Sequence, residues 1–283
     1  MENLIFSNKE RFEEIKKKFR EDRLERVYIL ADFDRTLTRA FVGGQEVPSV
    51  ISVLRDGNYL TPDYAEKAHE LYSKYRPLEN DESISKEGRK KLMHEWWATH
   101  FKLLIKSGLN KKDVEKVGKF NKTRFRDRFS ELADFLKDNN IPLIIMSSAG
   151  LGQESISQKL KGEGKLYNNI YIISNTFEWD NNGRAIAVKE PIVHSANKDE
   201  ILVKSFPEIF SNIKDRKNII LLGDSLDDVG MVDGFDYDNL IKIAFLNKKT
   251  EEKKDFYKEF YDVLVLGDYS LEFVNSFLES ISK

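Results

Sequence analysis

The sequence predicts an α/β protein with a Rossmann-like parallel sheet and a helical domain inserted after an early strand. Three observations predict this fold. Short apolar runs alternate with amphipathic helical segments over much of the chain, which is typical of a parallel sheet with right-handed crossovers. A separate stretch of roughly 80 residues has helical spacing and little strand signal. The length of 283 residues suits a core domain that carries a sizeable insertion.

The N-terminal part of the chain supplies the first helix, the first strand and the insertion. Residues 7–25 have the pattern of a charged amphipathic helix, and VYILA at 27–31 has the length and β-branched content of a buried strand. Three helices are predicted in the segments TPDYAEKAHELYSKYR, KEGRKKLMHEWWATHFKLLIKSG and NKKDVEKVGKF. We therefore predict a core domain formed by residues 1–41 and 126–283, and an inserted helical cap domain formed by residues 42–125.

The rest of the chain returns to alternating strands and helices. Strands are predicted in the segments IPLIIMSSAG, NIYIISNTF, NIILLGDSLDD, IKIAFLN and DVLVLGD. Helical segments such as SELADFLKDNN and ESISQKLKG separate them. This order places these strands beside VYILA in one parallel sheet.

The composition excludes several classes of function. Lys and Arg number 46 against 48 Asp and Glu, so the protein lacks the net charge that collects nucleic acid or an anionic membrane. The absence of cysteine rules out disulfides, thiolate zinc sites and a cysteine nucleophile. No apolar segment has the length of a membrane span or a signal peptide. We expect a cytoplasmic monomer with a small-molecule substrate and neither nucleic acid nor a membrane as a partner.

Polar side chains follow three of the predicted strands at the edge where open parallel sheets bind ligands. The sets are Asp32 and Asp34 after VYILA, Ser147 and Ser148 after PLIIM, and Asp224, Asp227 and Asp228 after IILLG. A fourth strand end carries Asp268 alone, which we interpret as a loop and helix-start residue. We also interpret Asp227 as a helix N-cap, because one of the three acids is enough for that role.

Converging carboxylates at one sheet edge require a cation to offset their mutual repulsion. All-oxygen ligands indicate a hard ion, and Mg²⁺ is the natural choice, which in turn implies a phosphate substrate. Ser147 or Ser148 with Gly150 could bind phosphate oxygens through hydroxyl and backbone N–H groups. Asp32 could then act as a nucleophile that forms an aspartyl-phosphate, with Asp34 as general acid and base. A lysine is still required to balance the phosphoryl charge.

These motifs together resemble the haloacid dehalogenase superfamily of aspartate-nucleophile phosphatases. The elements are DFDRT at 32–36, Ser148, a lysine and GDSLDD, in that order. A closer resemblance, to the cytosolic 5'-nucleotidase III (pyrimidine 5'-nucleotidase) family, is carried by DFDRTLTR, SAGLG, SNTFEWDNNGRA, HSANKDE and GDSLDDVGMVDG, and by the C-terminal YDVLVLGDYSLEFVNSFLESI. It runs from about residue 25 to the C-terminus and is densest in the core.

The resemblance implies a role for each matching residue. Asp32 would be nucleophile and Mg²⁺ ligand, and Asp34 would be acid and base, with its backbone carbonyl on the metal. Asp224 would bind the metal directly, and Asp228 would bind it through water or support Lys198. Ser148, Ala149 and Lys198 would contact the phosphoryl group. Glu79 would contact the base, and Trp97 would be a platform on which the base stacks.

Some alternatives stay open at this point. Lys189 competes with Lys198, Ser147 competes with Ser148, Trp96 is assigned to the helical core, and Arg35 has no assigned role. The predicted reaction is Mg²⁺-dependent hydrolysis of nucleoside 5'-monophosphates, with pyrimidine nucleotides preferred. The alternatives are a nucleotidase that prefers 7-methylguanosine monophosphate, another small-molecule phosphatase, a nucleoside phosphotransferase, and a nucleotide-binding module without activity.

Overall fold

A seven-stranded sheet forms the centre of the protein. The structure, a computed structural model, describes residues 3–79, 81, 83–120 and 123–282, and the strand order among them is β1-β11-β10-β9-β2-β5-β6. All neighbouring pairs are parallel except β1 with β11. The strands are β1 Leu4–Phe6, β2 Val27–Ala31, β5 Leu143–Ser147, β6 Ile170–Ser174, β9 Asn218–Gly223, β10 Asn239–Leu246 and β11 Val263–Leu266.

Helices cover both faces of this sheet. The core helices are α1 Lys9–Asp22, α6 Phe129–Asp138, α7 Gly152–Gly162, α8 Glu200–Lys204, α9 Pro207–Ile213, α10 Thr250–Tyr257 and α11 Glu272–Ile281. Strands β2 and β5 are buried along their whole length, which explains their continuous apolar sequences. Two separate apolar clusters, one on each face, hold the helices to the sheet.

The N-terminal helix is shorter than the predicted 7–25. It begins after Asn8, whose side chain accepts a hydrogen bond from the backbone N–H of Arg11 at 3.0 Å, and it ends at Arg23, where φ is 65°. Strand β1 was not predicted, because three residues are too few to show an alternating pattern. The predicted strand NIYIISNTF is also divided, since β6 ends at Ser174.

The chain between β2 and β5 forms a small hairpin and a helical layer. The predicted helical segments are confirmed, and α2 is additional: the elements are β3 Phe41–Val42, β4 Gln45–Glu46, α2 Val50–Asp56, α3 Tyr64–Glu79, α4 Lys86–Lys106 and α5 Lys111–Phe120. A second hairpin, β7 Thr176–Trp179 and β8 Ala185–Lys189, packs against these helices from a distant part of the sequence. The proposed cap bounds, 42–125, remain a prediction.

Two chain segments join the inserted residues to the core, and they run side by side. Thr38 and Phe125 form an antiparallel bridge, and Arg39 N donates to Arg124 O at 2.8 Å. No helix among the described residues combines the length and the apolarity that a membrane crossing requires.

Candidate active site

Lys198 joins two carboxylates at the carboxyl edge of the sheet. Its Nζ donates to Asp32 Oδ1 at 2.6 Å and to Asp228 Oδ1 at 3.2 Å, and all three side chains are buried. Although burial opposes the charged form, the two carboxylates raise the pKa of Lys198, so the ammonium stays protonated. The structure thus brings Lys198 to Asp32, whereas Lys189 lies exposed at the end of β8.

The carboxylates at this edge crowd one another. Oxygens of Asp32, Asp224 and Asp228 all lie within 4.8 Å of one another. Burial raises the pKa of Asp32 to about 7, Lys198 opposes the shift, and Asp228 and Asp34 add to it. Burial also raises the pKa of Asp224, and Asp228 and Asp32 act in the same direction. A hard divalent cation fits this all-oxygen donor set, because it would offset the repulsion between the carboxylates.

Asp228 shapes the loop after β9. Its Oδ2 accepts hydrogen bonds from the backbone N–H groups of Asp224 and Ser225, both at 3.1 Å, and from Ser225 Oγ at 2.9 Å. A Cβ on Gly223 would lie 2.6 Å from Asp228 Cβ, so only glycine allows this approach. The prediction that Asp227 is the N-cap is wrong: the 3₁₀ helix Asp227–Val232 has Leu226 at its N-cap position and no side-chain cap. Asp227 Oδ1 instead lies 3.9 Å from Arg89 Nη1.

Asp34 lies on a wide turn that begins where β2 ends. Thr38 N donates to Phe33 O at 3.1 Å, and Arg35 has a φ of 63°, a left-handed conformation. Phe33 is buried in the core. Burial raises the pKa of Asp34, which favours the protonated form that a general acid needs.

Arg35 links this turn to the β3–β4 hairpin. Its Nη2 donates to Glu46 Oε1 at 2.7 Å, and Lys248 forms an ion pair with the other oxygen of Glu46. Arg35 also borders the cavity that contains Asp32 and Asp34. The side chain therefore connects three segments at the rim of the site, which local sequence could not show.

The two serines after β5 differ in their surroundings. Ser147 is the last residue of the strand, and its buried Oγ accepts a hydrogen bond from Ala149 N at 3.3 Å. Ser148 is half-buried and borders both cavities described below, whereas Ser147 borders only the larger one. Of the two serines, Ser148 could therefore contact a ligand in either cavity.

Two connected cavities lie above the sheet edge. The larger, of about 490 Å³, is bordered by Asp32, Lys198 and Asp224. The smaller, of about 220 Å³, is bordered by Trp97 and Ala149. Both share Asp34 and Ser148, together with Ser49, Ser52, Tyr72, Arg76 and Glu79, so a single elongated ligand could occupy both.

Aromatic rings line the smaller cavity, together with the carboxylates of Asp34 and Glu79. Trp97 stacks on Trp96, with ring centroids 5.9 Å apart, and on His100 at the same distance. Trp96 is buried, as predicted, although it also borders the cavity. Glu79 accepts a hydrogen bond from Ser195 Oγ of the core at 2.8 Å and forms an ion pair with Arg76.

Sequence reasoning missed several residues of this pocket. Tyr72 and Arg76 precede Glu79 on α3 at intervals of four and three residues, which places all three on one helix face. From this spacing, the sequence could have predicted that Tyr72 and Arg76 lie beside Glu79. Ser195 could not be found this way, because it reaches the pocket from the core through a tertiary contact.

Asp268 lies outside the carboxylate cluster, and it is not a helix-start residue. Its Oδ1 accepts from Ala40 N at 2.8 Å and its Oδ2 from Phe41 N at 3.0 Å, whereas α11 has Leu271 at its N-cap position. The carboxylate therefore fixes the segment that leads from the core into the β3–β4 hairpin.

His100 gives the fold a pH dependence. Its Nε2 lies 3.1 Å from Tyr64 Oη, and burial, with a contribution from Arg55, lowers its pKa from 6.5 to about 4. The unfolded chain gains a proton near pH 6.5, whereas the folded protein does not. The free energy of unfolding therefore includes the full contribution of neutral His100 above pH 6.5 and loses it as the pH falls towards 4. His194 acts in the same direction.

Between pH 7 and pH 5, we expect the thermal midpoint of His100→Gln to rise relative to that of the wild type, because the variant has one fewer histidine that must stay neutral, whereas the raised pKa values of Asp32 and Asp34 affect both proteins alike. Scanning calorimetry at several pH values measures the slope. His69→Gln, on the exposed face of α3, is the control and should keep the wild-type slope. Equal slopes for wild type and His100→Gln would contradict the assignment.

The fold is shared with solved structures of other hydrolases. A haloacid dehalogenase family hydrolase from Salmonella enterica has the same core fold, with a TM-score of 0.56 and 18% identity over 91% of this chain and 73% of that chain. The chain belongs to the pyrimidine 5'-nucleotidase (UMPH-1) family, whose family model matches residues 35–282.

Individual relatives agree with this assignment. The 7-methylguanosine phosphate-specific 5'-nucleotidase of Gallus gallus is 31% identical over 263 residues, which cover 93% of this chain and 90% of the chicken protein. The crystal structure of a cytosolic 5'-nucleotidase IIIB bound to cytidine has a TM-score of 0.87 and 24% identity over 99% of this chain and 94% of that chain. The protein is therefore a 5'-nucleotidase, a hydrolase of small nucleotides, and the predicted fold class, family and enzyme class are confirmed.

Proposed function

We propose that the protein hydrolyses nucleoside 5'-monophosphates to nucleoside and phosphate through an aspartyl-phosphate on Asp32. The observation that carries this proposal is the buried Lys198–Asp32 contact of 2.6 Å at the floor of a cavity that continues into an aromatic pocket. The larger cavity would hold the phosphoryl group. The pocket bordered by Trp97 and Glu79 would hold the base.

In the first step, a carboxylate oxygen of Asp32 attacks phosphorus and the bond from phosphorus to the 5'-oxygen breaks. Asp34 donates its proton to that oxygen, so the nucleoside leaves as an alcohol. Lys198 and Ser148 hold the phosphoryl oxygens, and the backbone N–H of Ala149 adds a donor. In the second step, water attacks the phosphorus of the aspartyl-phosphate and gives its proton to Asp34. The bond from phosphorus to the Asp32 oxygen breaks, which frees phosphate and restores the Asp32 carboxylate.

We assign Mg²⁺ to the carboxylate cluster. Asp32, Asp224 and the backbone carbonyl of Asp34 would hold it, and Asp228 would support Lys198 or contribute through water. When bound, the ion would offset negative charge on the phosphoryl group and on the surrounding carboxylates. The all-oxygen set within 4.8 Å supports this assignment.

Pyrimidine nucleotides are the first candidate substrates, and 7-methylguanosine monophosphate is the second. The family description and the cytidine-bound structure support the first. The name of the chicken relative supports the second, as do the aromatic rings beside Glu79, because a methylated guanine carries positive charge that aromatic faces and a carboxylate attract. Phosphate release from CMP, UMP, 7-methyl-GMP, GMP and ribose 5-phosphate, with and without EDTA, decides between them. Equal rates on ribose 5-phosphate would contradict a nucleotidase.

Trp97→Ala is expected to raise KM for the preferred nucleotide by about 5- to 150-fold, because base stacking contributes roughly 1–3 kcal/mol. The kcat should change less, since the reacting groups lie in the other cavity. Trp97→Phe keeps an aromatic face and should recover most of the affinity. Steady-state kinetics on the preferred nucleotide measures both constants, and an unchanged KM in Trp97→Ala would exclude the stacking role.

Transfer of the phosphoryl group to a second nucleoside is the alternative reaction of the same site. Product analysis with a labelled nucleoside acceptor tests it, because transfer yields a labelled monophosphate and hydrolysis yields only inorganic phosphate.

We further propose that the protein is a cytoplasmic monomer. The word cytosolic in the name of a Caenorhabditis elegans relative supports the location, and light scattering after gel filtration tests the monomer.

A further inference from the structure

Arg126 lies directly beneath the turn that carries Asp34. Its side chain is one of the largest fully buried side chains in the described residues. Nε donates to Thr36 O at 2.6 Å, and Nη2 donates to Arg35 O and, at 2.6 Å, to Asn247 Oδ1. Nη1 donates to Tyr269 O at 2.7 Å and to Asp268 Oδ1 at 3.1 Å. A guanidinium has five N–H groups, and all five are used here.

The turn needs this support because Arg35 has a φ of 63°, which is unfavourable for a residue with a side chain. Its carbonyl accepts two hydrogen bonds, one from Arg126 and one from Asn247 Nδ2 at 3.0 Å. Without them, the peptide group that follows Arg35 could rotate towards a more common conformation. Asp34 is the residue immediately before, so its carboxyl group would move with that rotation.

The same side chain fixes both segments that lead into the inserted residues. Arg126 is itself on the returning segment, where its backbone N–H donates to Leu37 O at 3.0 Å. Its partner Asp268 holds the N–H groups of Ala40 and Phe41 on the outgoing segment. The turn with Asp34 and the two connecting segments thus share one buried cation.

We propose that Arg126 is a positioning residue for the reaction: together with Asn247, it holds the Arg35 and Thr36 carbonyls so that the Asp34 carboxyl faces the leaving oxygen. This inference rests on the proposed function, in which Asp34 protonates that oxygen. It assigns to Arg126 no contact with substrate. Its consequence is that loss of Arg126 harms proton delivery more than it harms nucleotide binding.

The test compares two substrates that differ in their need for a proton. A nucleoside leaves poorly unless it is protonated, whereas p-nitrophenol leaves well as an anion. In the first turnover, before the aspartyl-phosphate is hydrolysed, Arg126→Lys should lower the rate of nucleoside release from the preferred monophosphate by about tenfold or more, and the rate of p-nitrophenol release from p-nitrophenyl phosphate by no more than about threefold. KM for the nucleotide should stay within about threefold. Asn247→Ala should show the same pattern to a smaller degree, and this variant replaces Arg126→Lys in the test if Arg126→Lys does not fold.

Arg216→Lys is the matched control. Arg216 also donates to two backbone carbonyls, Val27 O at 2.9 Å and Asn140 O at 3.0 Å, but at the opposite edge of the sheet. The control should lower the thermal midpoint without changing the ratio of the two first-turnover rates. A purely structural role for Arg126 predicts equal loss with both substrates, because partial unfolding removes active sites for both. Equal loss of activity with both substrates, in Arg126→Lys and in Asn247→Ala, would overturn the proposal.

Asp34→Asn, measured in parallel, separates this inference from the proposed function. If Asp34→Asn lowers the first-turnover rate for the nucleotide far more than that for p-nitrophenyl phosphate, and the Arg126 and Asn247 variants do not, only the positioning role is wrong. If Asp34→Asn lowers both first-turnover rates equally, the acid role of Asp34 is wrong and the inference falls with it.

Discussion

Asp32→Asn is expected to lower phosphate release from the preferred nucleotide by about 10⁴-fold or more, because the amide cannot form the aspartyl-phosphate. Asparagine has nearly the same shape, and Lys198 keeps its contact with Asp228 at 3.2 Å. The variant should therefore fold. It also removes a buried carboxyl whose pKa is raised to about 7, so we expect no loss of thermal stability above that pH in metal-free protein.

Phosphate release under saturating Mg²⁺, together with a thermal melt of the same sample, measures both effects. Asp227→Asn is the control, since Asp227 lies at the rim of the cavity and outside the carboxylate cluster. Activity of Asp32→Asn within about tenfold of the control would show that another group is the nucleophile.

Asp224→Asn is the change with the second largest expected effect. We expect the Mg²⁺ concentration for half-maximal activity to rise by about tenfold or more, because the cluster loses a charged ligand. Binding of Mg²⁺ to the folded protein should also raise the thermal midpoint of the wild type, and this rise should be smaller in the variant. EDTA should abolish activity in the wild type.

Activity and thermal midpoint, each measured over a Mg²⁺ titration, check this prediction in two independent ways. Asp227→Asn again serves as the control and should keep the wild-type Mg²⁺ dependence. The same titration curves for Asp224→Asn and wild type would place the metal away from this cluster, even if Mg²⁺ remained necessary for activity.

The sheet edge could be predicted because strand ends follow simple rules. In a parallel sheet, the carboxyl ends of β2, β5 and β9 meet at one edge, so Asp32, Ser148 and Asp224 had to lie near one another despite their separation in sequence. Apolar runs are long enough to show these strands. Asp268 also follows a parallel strand, and it was left out because it is a single acid; it does lie outside the cluster.

Residues placed by irregular structure needed more than local patterns. Lys198 follows a single 3₁₀ turn, and no spacing rule distinguishes it from Lys189; only the family resemblance did so. Asp227 and Asp228 are adjacent acids, and which one bonds to the loop depends on its three-dimensional path. The sequence also could not predict the hydrogen bonds that Asn175, just after β6, donates to the backbone carbonyls of Ala149 and Val193.

Contacts between the inserted helices and the core were the least predictable. Ser195 and Glu79 meet across this boundary, and Lys86 of α4 forms an ion pair with Asp233 of the core at 2.6 Å. Such pairs depend on how the inserted helices pack against the core, and the helical pattern of the sequence contains no information about that packing. The base pocket is therefore the part of the site where sequence reasoning was weakest.

Chemical trapping tests the central claim, that Asp32 carries the phosphoryl group. Enzyme mixed with the preferred nucleotide and Mg²⁺ is quenched with borohydride, which reduces an aspartyl-phosphate to homoserine, and the peptides are sequenced by mass spectrometry. We predict homoserine at position 32, formed only when substrate is present. Homoserine at another aspartate, or none anywhere while phosphate is still released, would contradict the account.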